Sequence, residues 1–480
     1  EQRGMVPGSG APLDTLYRQS YSLTALRGKA ENDPTSPEAY DLLLRANDLH
    51  LNPSRDVFDP DTDPLLELVD RALKTAPSTM DIFDRRGNLR FRLGNPQRAQ
   101  TRFGIGATNL YYQDPTTDAV TAFSRKHMAL ATRLGSILSG YDVISTVGIL
   151  QDMAPEVADL YGTLEMIANT TKPLVILISE KQCFDTSLDL LEHLHGDLST
   201  KPSIIPYFNP ITPLVLNEDT ADKIFSTIER GLPFIYSNYG MSGATSPITP
   251  AGSLAVLNAE LLAGLVFSQL VKEGTPIILG SLPAGFDMRS MADLYTPQTL
   301  LLNVACAEIM AYYGLPHSGT SGSGPGWGPD LSAAGTLWMN HLTSCLGKVG
   351  LAPFVGGNFD SLVFSPAMVV YSNEVIRQAR IFTQGFDIDD DSVALNEIDA
   401  IGPGGNFLMA DQTVALCREA NFSNSIWPHL SLDQWQSEGY LQADKLLRAH
   451  TCKLLAELPR PEDHTDMIER GESFIRKKIP

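Results

Sequence analysis

Residues 231–289 read GLPFIYSNYGMSGATSPITPAGSLAVLNAELLAGLVFSQLVKEGTPIILGSLPAGFDMR and contain one complete structural cycle. Residues 232–236 are a short apolar and aromatic run after a glycine, bounded by Gly240, Gly243 and Pro247, the pattern of a buried strand followed by a loop. A helix is predicted next, with Thr249 as N-cap, Pro250 at the first helical position, and Leu254, Leu257, Leu261, Leu262, Leu265 and Leu270 at helical spacing. A second apolar run, 276–280, closes the unit as a βαβ crossover. Neither strand alternates polar with apolar residues, so both need cover on two faces. The segments that leave them, 237–247 and 281–289, are rich in Gly, Ser, Met and aromatics and read as loops at the edge where parallel α/β folds bind ligands.

The same rhythm extends outward. Residues 142–148, 173–179, 203–209, 315–318 and 351–355 are further short strand-like runs, each next to a helical segment, giving seven strands at βα spacing. The eighth comes either from near 101–112 or from beyond 360. A (β/α)8 TIM-type barrel of the α/β class, with helical N- and C-terminal additions, is the economical architecture. Residues 1–100 are expected to form a helical extension, 101–365 the barrel, and 366–480 a helical region packed on it. Within the first part, residues 1–12 read as an arm and 13–95 as helical with proline breaks. Residues 101–114 read as short strands or a hairpin turning at Gly104 and Gly106.

Composition narrows the function. The formal net charge of -20 argues against a phosphate backbone or an anionic membrane surface, so neither nucleic acid nor membrane is expected as a partner. No apolar leader region or run of membrane-spanning length is read, and five scattered cysteines fit a reducing compartment, so a cytoplasmic location is expected. The acidic run Asp387, Asp389, Asp390 and Asp391 lacks the glycine and terminal glutamate of a calcium loop and reads as a solvated turn. His193 and His195 point apart on a helix, and no protein-held metal is expected.

No GxSxG elbow, HExxH pair or Walker loop is present. Residues 319–328, GTSGSGPGWG, form a glycine-rich loop without Lys or Arg, readable as a lid or as a weak anion cradle. The strand ends offer aromatic and sulfur surface with few acids: Tyr207, Tyr236, Tyr239, Met241, Phe286, Trp327 and Phe354, with Asp287 and Asp360. Aromatic faces with one or two acids suit a cation that cannot donate hydrogen bonds, such as a quaternary ammonium.

Four segments then carry a specific resemblance: GMSGATSPITPAGSLAVLNAELLAGLVFSQL from 240, PIILGSLPAGFDMRS from 276, AYYGLPHSGTSGSG from 311 and IDAIGPGGNFL from 398. In consistent order over roughly residues 100–440, the chain resembles the trimethylamine methyltransferase superfamily, including its branch without pyrrolysine that demethylates glycine betaine. The resemblance implies a (β/α)8 barrel that passes a methyl group from an amine to the cobalt(I) of a separate corrinoid protein. It also implies that the chain itself binds no cofactor. Two positions depart from the family pattern: residues 314–333 hold only ordinary amino acids, and Asn406 follows GPGG where family members often have His. A quaternary ammonium leaves as a neutral tertiary amine, so demethylation needs placement in a dry pocket more than a general acid. For a betaine, Arg289, His317 and backbone N–H groups of the glycine-rich loop are the candidate partners of the substrate carboxylate. Gly319, Gly322 and Gly324 are the candidates for contact with the cofactor.

Two other readings stay open here. One is a barrel lyase or aldolase that holds an anionic small molecule at 319–328. It would want a Schiff-base lysine at a strand end, whereas Lys172 and Lys348 precede strands on the opposite side. The other is a non-catalytic protein that binds quaternary amines. The expected partners are a corrinoid protein, a small quaternary amine and, as for many large barrel enzymes, further copies of the chain.

Overall fold

The computed structural model describes residues 64–94, 100–106, 108–179, 181–322 and 324–479. The arm and most of the helical reading before residue 64 lie outside the described residues. Eight parallel strands form the barrel: β1 (Arg102–Ile105), β2 (Val143–Ser145), β3 (Leu174–Ile176), β4 (Ile204–Phe208), β5 (Phe234–Ser242), β6 (Ile277–Asp287), β7 (His317–Ser318) and β8 (Leu351–Val355). Each pairs with its neighbours in chain order, and β1 closes the ring by pairing with β8 at Leu351↔Arg102 and with β2 at Ile105↔Ile144. The open choice of eighth strand is thereby resolved in favour of residues near 101. Gly104 is not a turn residue. It lies inside β1, where a Cβ would come within 2.6 Å of Val143 and 2.7 Å of the Pro353 carbonyl, so the chains can approach there only because the side chain is absent.

Side-chain parity separates two cores. Val143, Val175, Ile205, Ile235, Ile278 and Leu351 point to the barrel axis, whereas Ile144, Leu174, Ile204, Phe234, Ile277 and Leu279 face the helices. The outer ring is α1 (Arg125–Ile137), α2 (Pro155–Asn169), α3 (Lys181–His195), α4 (Glu218–Glu229), α5 (Pro250–Val271), α6 (Pro297–Tyr313), α7 (Leu331–Leu346) and α8 (Pro366–Gln384). α5 begins as expected, with Thr249 as N-cap and Pro250 in the first turn. It is long and apolar enough by composition to cross a bilayer, but it packs as a barrel helix against β5, β6 and the helix Pro64–Thr75. α8 packs on α7 and α1 and so completes the ring, although its sequence read as part of the C-terminal region. Beyond it, Ala443–Ala456 packs on α8 and α1, and His464–Lys478 on α2 and α3.

The helical reading of the N-terminal region holds for Pro64–Thr75 and fails just after it. Met80–Phe83 and Leu89–Leu93 form an antiparallel hairpin. Met80, Ile82, Phe91 and Leu93 insert their apolar faces among the inward residues of the barrel, and the hairpin backbone bonds to the chain ahead of β3 and β4, through Arg85 N to Thr171 O and Phe83 N to Pro202 O. The hairpin is a plug in the N-terminal end of the barrel. At the same end Lys172 donates to the carbonyls of Gly135, Leu138 and Tyr141 at 2.7, 2.8 and 2.7 Å, so its ammonium caps α1. Burial lowers its pKa to about 7.

At the opposite end the supposed loops 237–242 and 281–287 are strand. β5 and β6 stay paired from Phe234↔Ile277 to Ser242↔Gly285 and rise above the barrel wall, and Ala292–Leu294 folds back on β6 as a third strand. A second small sheet orders Gly357–Asn358, Val363–Phe364, Tyr111–Gln113 and Val120–Ala122 across the same mouth. Asp389 accepts from Ser392 N at 2.7 Å and caps a short exposed helix, which gives the acidic run a structural role.

Candidate functional site

A cavity of about 270 Å³ opens among the C-terminal strand ends, lined by Thr108, Leu177, Tyr207, Asn209, Tyr239, Leu282, Asp293, Tyr295, Thr320, Phe354, Asp360 and Ser361. Its floor is the top of the inner core, where the Tyr207 and Phe354 rings meet edge to face at 5.0 Å and 74°. The parity of the strands supplies most of the walls. Leu177 continues the inward set of β3 after Val175, Asn209 that of β4 after Ile205 and Tyr207, Tyr239 that of β5 after Ile235, and Leu282 that of β6 after Ile278.

Two carboxylates enter from above. Asp293 sits on the strand Ala292–Leu294, opposite Phe286 of β6, and accepts a hydrogen bond from the Tyr239 hydroxyl. Tyr295, two residues on and so on the same side, is within hydrogen-bond reach of Tyr239 and Ser361. Asp360 is carried by a loop in which Phe359, Asp360 and Ser361 all have left-handed φ, 49°, 51° and 77°. Such backbone costs of order 1–3 kcal/mol per residue and persists where surroundings over-determine it. Here the surroundings are the glycine-rich loop, whose Gly326 and Gly324 carbonyls accept from Phe359 N at 2.9 Å and Asp360 N at 3.0 Å. Asp360 Oδ1 is buried without a hydrogen-bond partner. Burial, and then the charge of Asp293, raise the Asp360 carboxyl to about 6. Burial also pushes the phenols of Tyr207, Tyr239 and Tyr295 up, so all three stay protonated hydroxyls.

Of the residues singled out from sequence, Tyr207, Tyr239, Phe354 and Asp360 meet in this cavity. Tyr236 does not. It has outward parity and lies under α5, where a Cβ on Gly264 would fall 2.2 Å from its ring. His317 is likewise outward on β7, in register with Leu279, wholly buried with neither ring nitrogen bonded. Burial lowers its pKa to about 3, so it is neutral and out of reach of a substrate carboxylate. Asp287 caps its own turn, accepting from Arg289 N at 3.0 Å and Ser290 Oγ at 2.8 Å, and Arg289 is exposed beside it. Met241 and Phe286 are half-buried in the raised strands, and Trp327 is 72 % exposed. These are at the C-terminal end of the barrel but off the cavity wall. In the glycine-rich loop Thr320 lines the cavity, Gly319 N is bonded to Leu351 O at 2.8 Å, and Gly322 and Gly324 offer carbonyls to the 356–360 segment. Asn406 caps the turn Phe407–Met409, accepting from Leu408 N at 2.8 Å. Among the described residues no group of three His, Cys, Asp or Glu could hold a metal ion.

Comparison with known proteins bears on the family and the fold. The chain is 27% identical over 401 residues to trimethylamine methyltransferase MttB of Desulfitobacterium hafniense, covering 81% of this chain and 80% of that protein. It is 25% identical over 419 residues to a glycine betaine methyltransferase of the same species, covering 86% of each. The crystal structure of the Methanosarcina barkeri monomethylamine methyltransferase superposes with a TM-score of 0.51 at 9% identity, over 95% of this chain and 93% of that one, which supports the barrel fold. The trimethylamine methyltransferase family model spans residues 66–479, essentially the whole described barrel with its plug and C-terminal helices, and the chain belongs to that family.

Proposed function

We propose that this chain is a methyltransferase that moves a methyl group from a small methylated ammonium, of the quaternary class that includes glycine betaine, to the cobalt(I) of a corrinoid carried by a separate protein. The carrying observation is the cavity itself: aromatic side chains Tyr207, Tyr239, Tyr295 and Phe354 around two carboxylates, Asp293 and Asp360, with no Lys, Arg or His on its wall among the described residues. Aromatic faces attract a cation by about 0.5–2 kcal/mol each, more when desolvated, so several faces and an anion hold an ammonium without a donated hydrogen bond. The corrinoid supplies the nucleophile: the cobalt electron pair forms the bond to the methyl carbon while the C–N pair stays on nitrogen, releasing a neutral amine.

The protein's part is binding and exclusion of water. The floor pair Tyr207 and Phe354 closes the cavity from below, and the plug hairpin closes the barrel beneath it, so a methyl donor can be approached only from the C-terminal mouth. The Tyr239–Asp293 hydrogen bond holds an anion over the site. No lysine lines the cavity, and the glycine-rich loop gives carbonyls to its neighbour, which weighs against a Schiff-base aldolase or an anion cradle. The five cysteines are all free, in keeping with the cytoplasmic location expected from their spacing.

The test is purified chain, a corrinoid protein held as cobalt(I), and a panel of methylated amines, followed by the visible spectrum of the corrinoid. Amine-dependent loss of the cobalt(I) band with release of the demethylated amine is expected. Tight amine binding with no transfer to any corrinoid protein tried would favour the non-catalytic binding reading.

A further inference from the structure

Among the described residues the cavity carries two carboxylates and no basic group, and that asymmetry bears on what the fourth substituent of the ammonium can be. A carboxylated amine brings its own anion into a chamber whose wall already holds Asp293 and Asp360. At the effective dielectric of a partly buried site, the repulsion of like charges about 4 Å apart is worth roughly a thousandfold in affinity, far more than one aromatic contact returns. The residues that could have balanced that anion are elsewhere: Arg289 is exposed in the turn capped by Asp287 and His317 is neutral behind the wall. The uncharged polar groups on the wall are of another kind. Asn209, Thr108, Thr320 and Ser361 line it, and the Tyr207 hydroxyl is fully buried without a well-formed hydrogen bond, with Ser237 and Asn209 its near neighbours. A buried hydroxyl of that sort is stabilised by a ligand that both donates and accepts.

Resting on the methyl-transfer reading above, we infer that the site selects a quaternary ammonium whose remaining arm is an uncharged alcohol and rejects one whose arm is a carboxylate. The cation lies against Asp360, Asp293 and the aromatic walls, and the alcohol reaches the Tyr207–Asn209 side. Asp360 is the specificity-determining residue, because its Oδ1 is the buried anionic atom without a partner. Asp293 is tied to Tyr239.

Titration calorimetry on the full chain with choline, tetramethylammonium and glycine betaine tests this, and each amine is also assayed for methyl transfer. Choline is expected to bind at least about thirtyfold more tightly than glycine betaine, the factor that even half of the estimated repulsion free energy gives. Asp360→Asn should weaken choline at least about tenfold while leaving glycine betaine unchanged or improved, so that the ratio collapses. Asp391→Asn, exposed and remote in the chain, is the control for net charge and should change neither, and circular dichroism checks that each variant is folded. Glycine betaine bound as tightly as choline, or a ratio unchanged in Asp360→Asn, overturns the inference while leaving methyl transfer standing. Tetramethylammonium bound as tightly as choline overturns the alcohol arm. Selective binding of choline without transfer from any amine overturns the methyl-transfer reading instead.

Discussion

Tyr236 and Tyr239 stand three residues apart on one strand and do unlike things. The first has outward parity and packs under α5 against Gly264, and the second has inward parity and reaches Asp293 over the cavity. Tyr236→Leu is therefore expected to act on stability, lowering it by about 1–3 kcal/mol in chemical denaturation with little effect on amine binding. Phe354→Leu should do the reverse, weakening binding of the ammonium by about 0.5–2 kcal/mol in calorimetry through the lost ring face. Asp360 sets the pH dependence. Its folded carboxyl is raised to about 6, and the groups facing it are Asp293 and the protonated Tyr295. The folded empty protein thus holds a proton that the unfolded chain releases above about 4, so this contribution to stability is complete below that pH and is lost as pH rises through about 6. A bound cation prefers the ionised form, so its affinity should rise with pH and level off above about 6, with a proton released on binding near the midpoint. Asp360→Asn should flatten that profile.

Among the elements, the plug hairpin and the raised β5–β6 pair decide what the barrel can do. The hairpin contributes Ile82 and Phe91, 0% and 4% exposed, to the inner core, and that core supports Tyr207 and Phe354 from beneath. Ile82→Ala is expected to cost about 2–5 kcal/mol of stability, measured by urea denaturation, and to loosen amine binding as the floor relaxes. Local pattern misleads for both elements for the same reason. MDIF and LRFRL are too short to show a period against the helical stretch before them, and the segments after Tyr236 and Gly280 are rich in Gly and Ser, which signal turns. The β6 segment remains strand because two neighbours, β5 and Ala292–Leu294, satisfy its backbone groups from either side.

For the whole molecule, the mouth is framed by the raised β5–β6 ribbon and the small four-stranded sheet and, among the described residues, is the open end, since the plug fills the other. On the proposed function, a corrinoid brought by another protein comes to this end. The chain as purified is then expected to carry no corrinoid absorbance and to demethylate no amine until a corrinoid protein is added. Turnover by the chain alone would refute the division of labour between two proteins.

The sequence by itself determined the barrel. Seven apolar runs without polar alternation, each with a helix of suitable length, leave few other ways to cover both faces of every strand. It also pointed to the C-terminal strand ends, where the cavity lies, and to the family, because long segments around Gly240, Pro276 and Gly402 keep their order. Parity within the strands was there to be read: counting in twos from Ile205 and Ile235 reaches Asn209 and Tyr239 and passes over Tyr236. What only the tertiary structure decided is which side chains share one chamber. Asp293 and Tyr295 are more than fifty residues from Tyr239, and Asp360 is farther still. They meet because a folded-back strand and a left-handed loop, each held by backbone bonds to distant segments, carry them over the mouth, and no local period encodes such contacts.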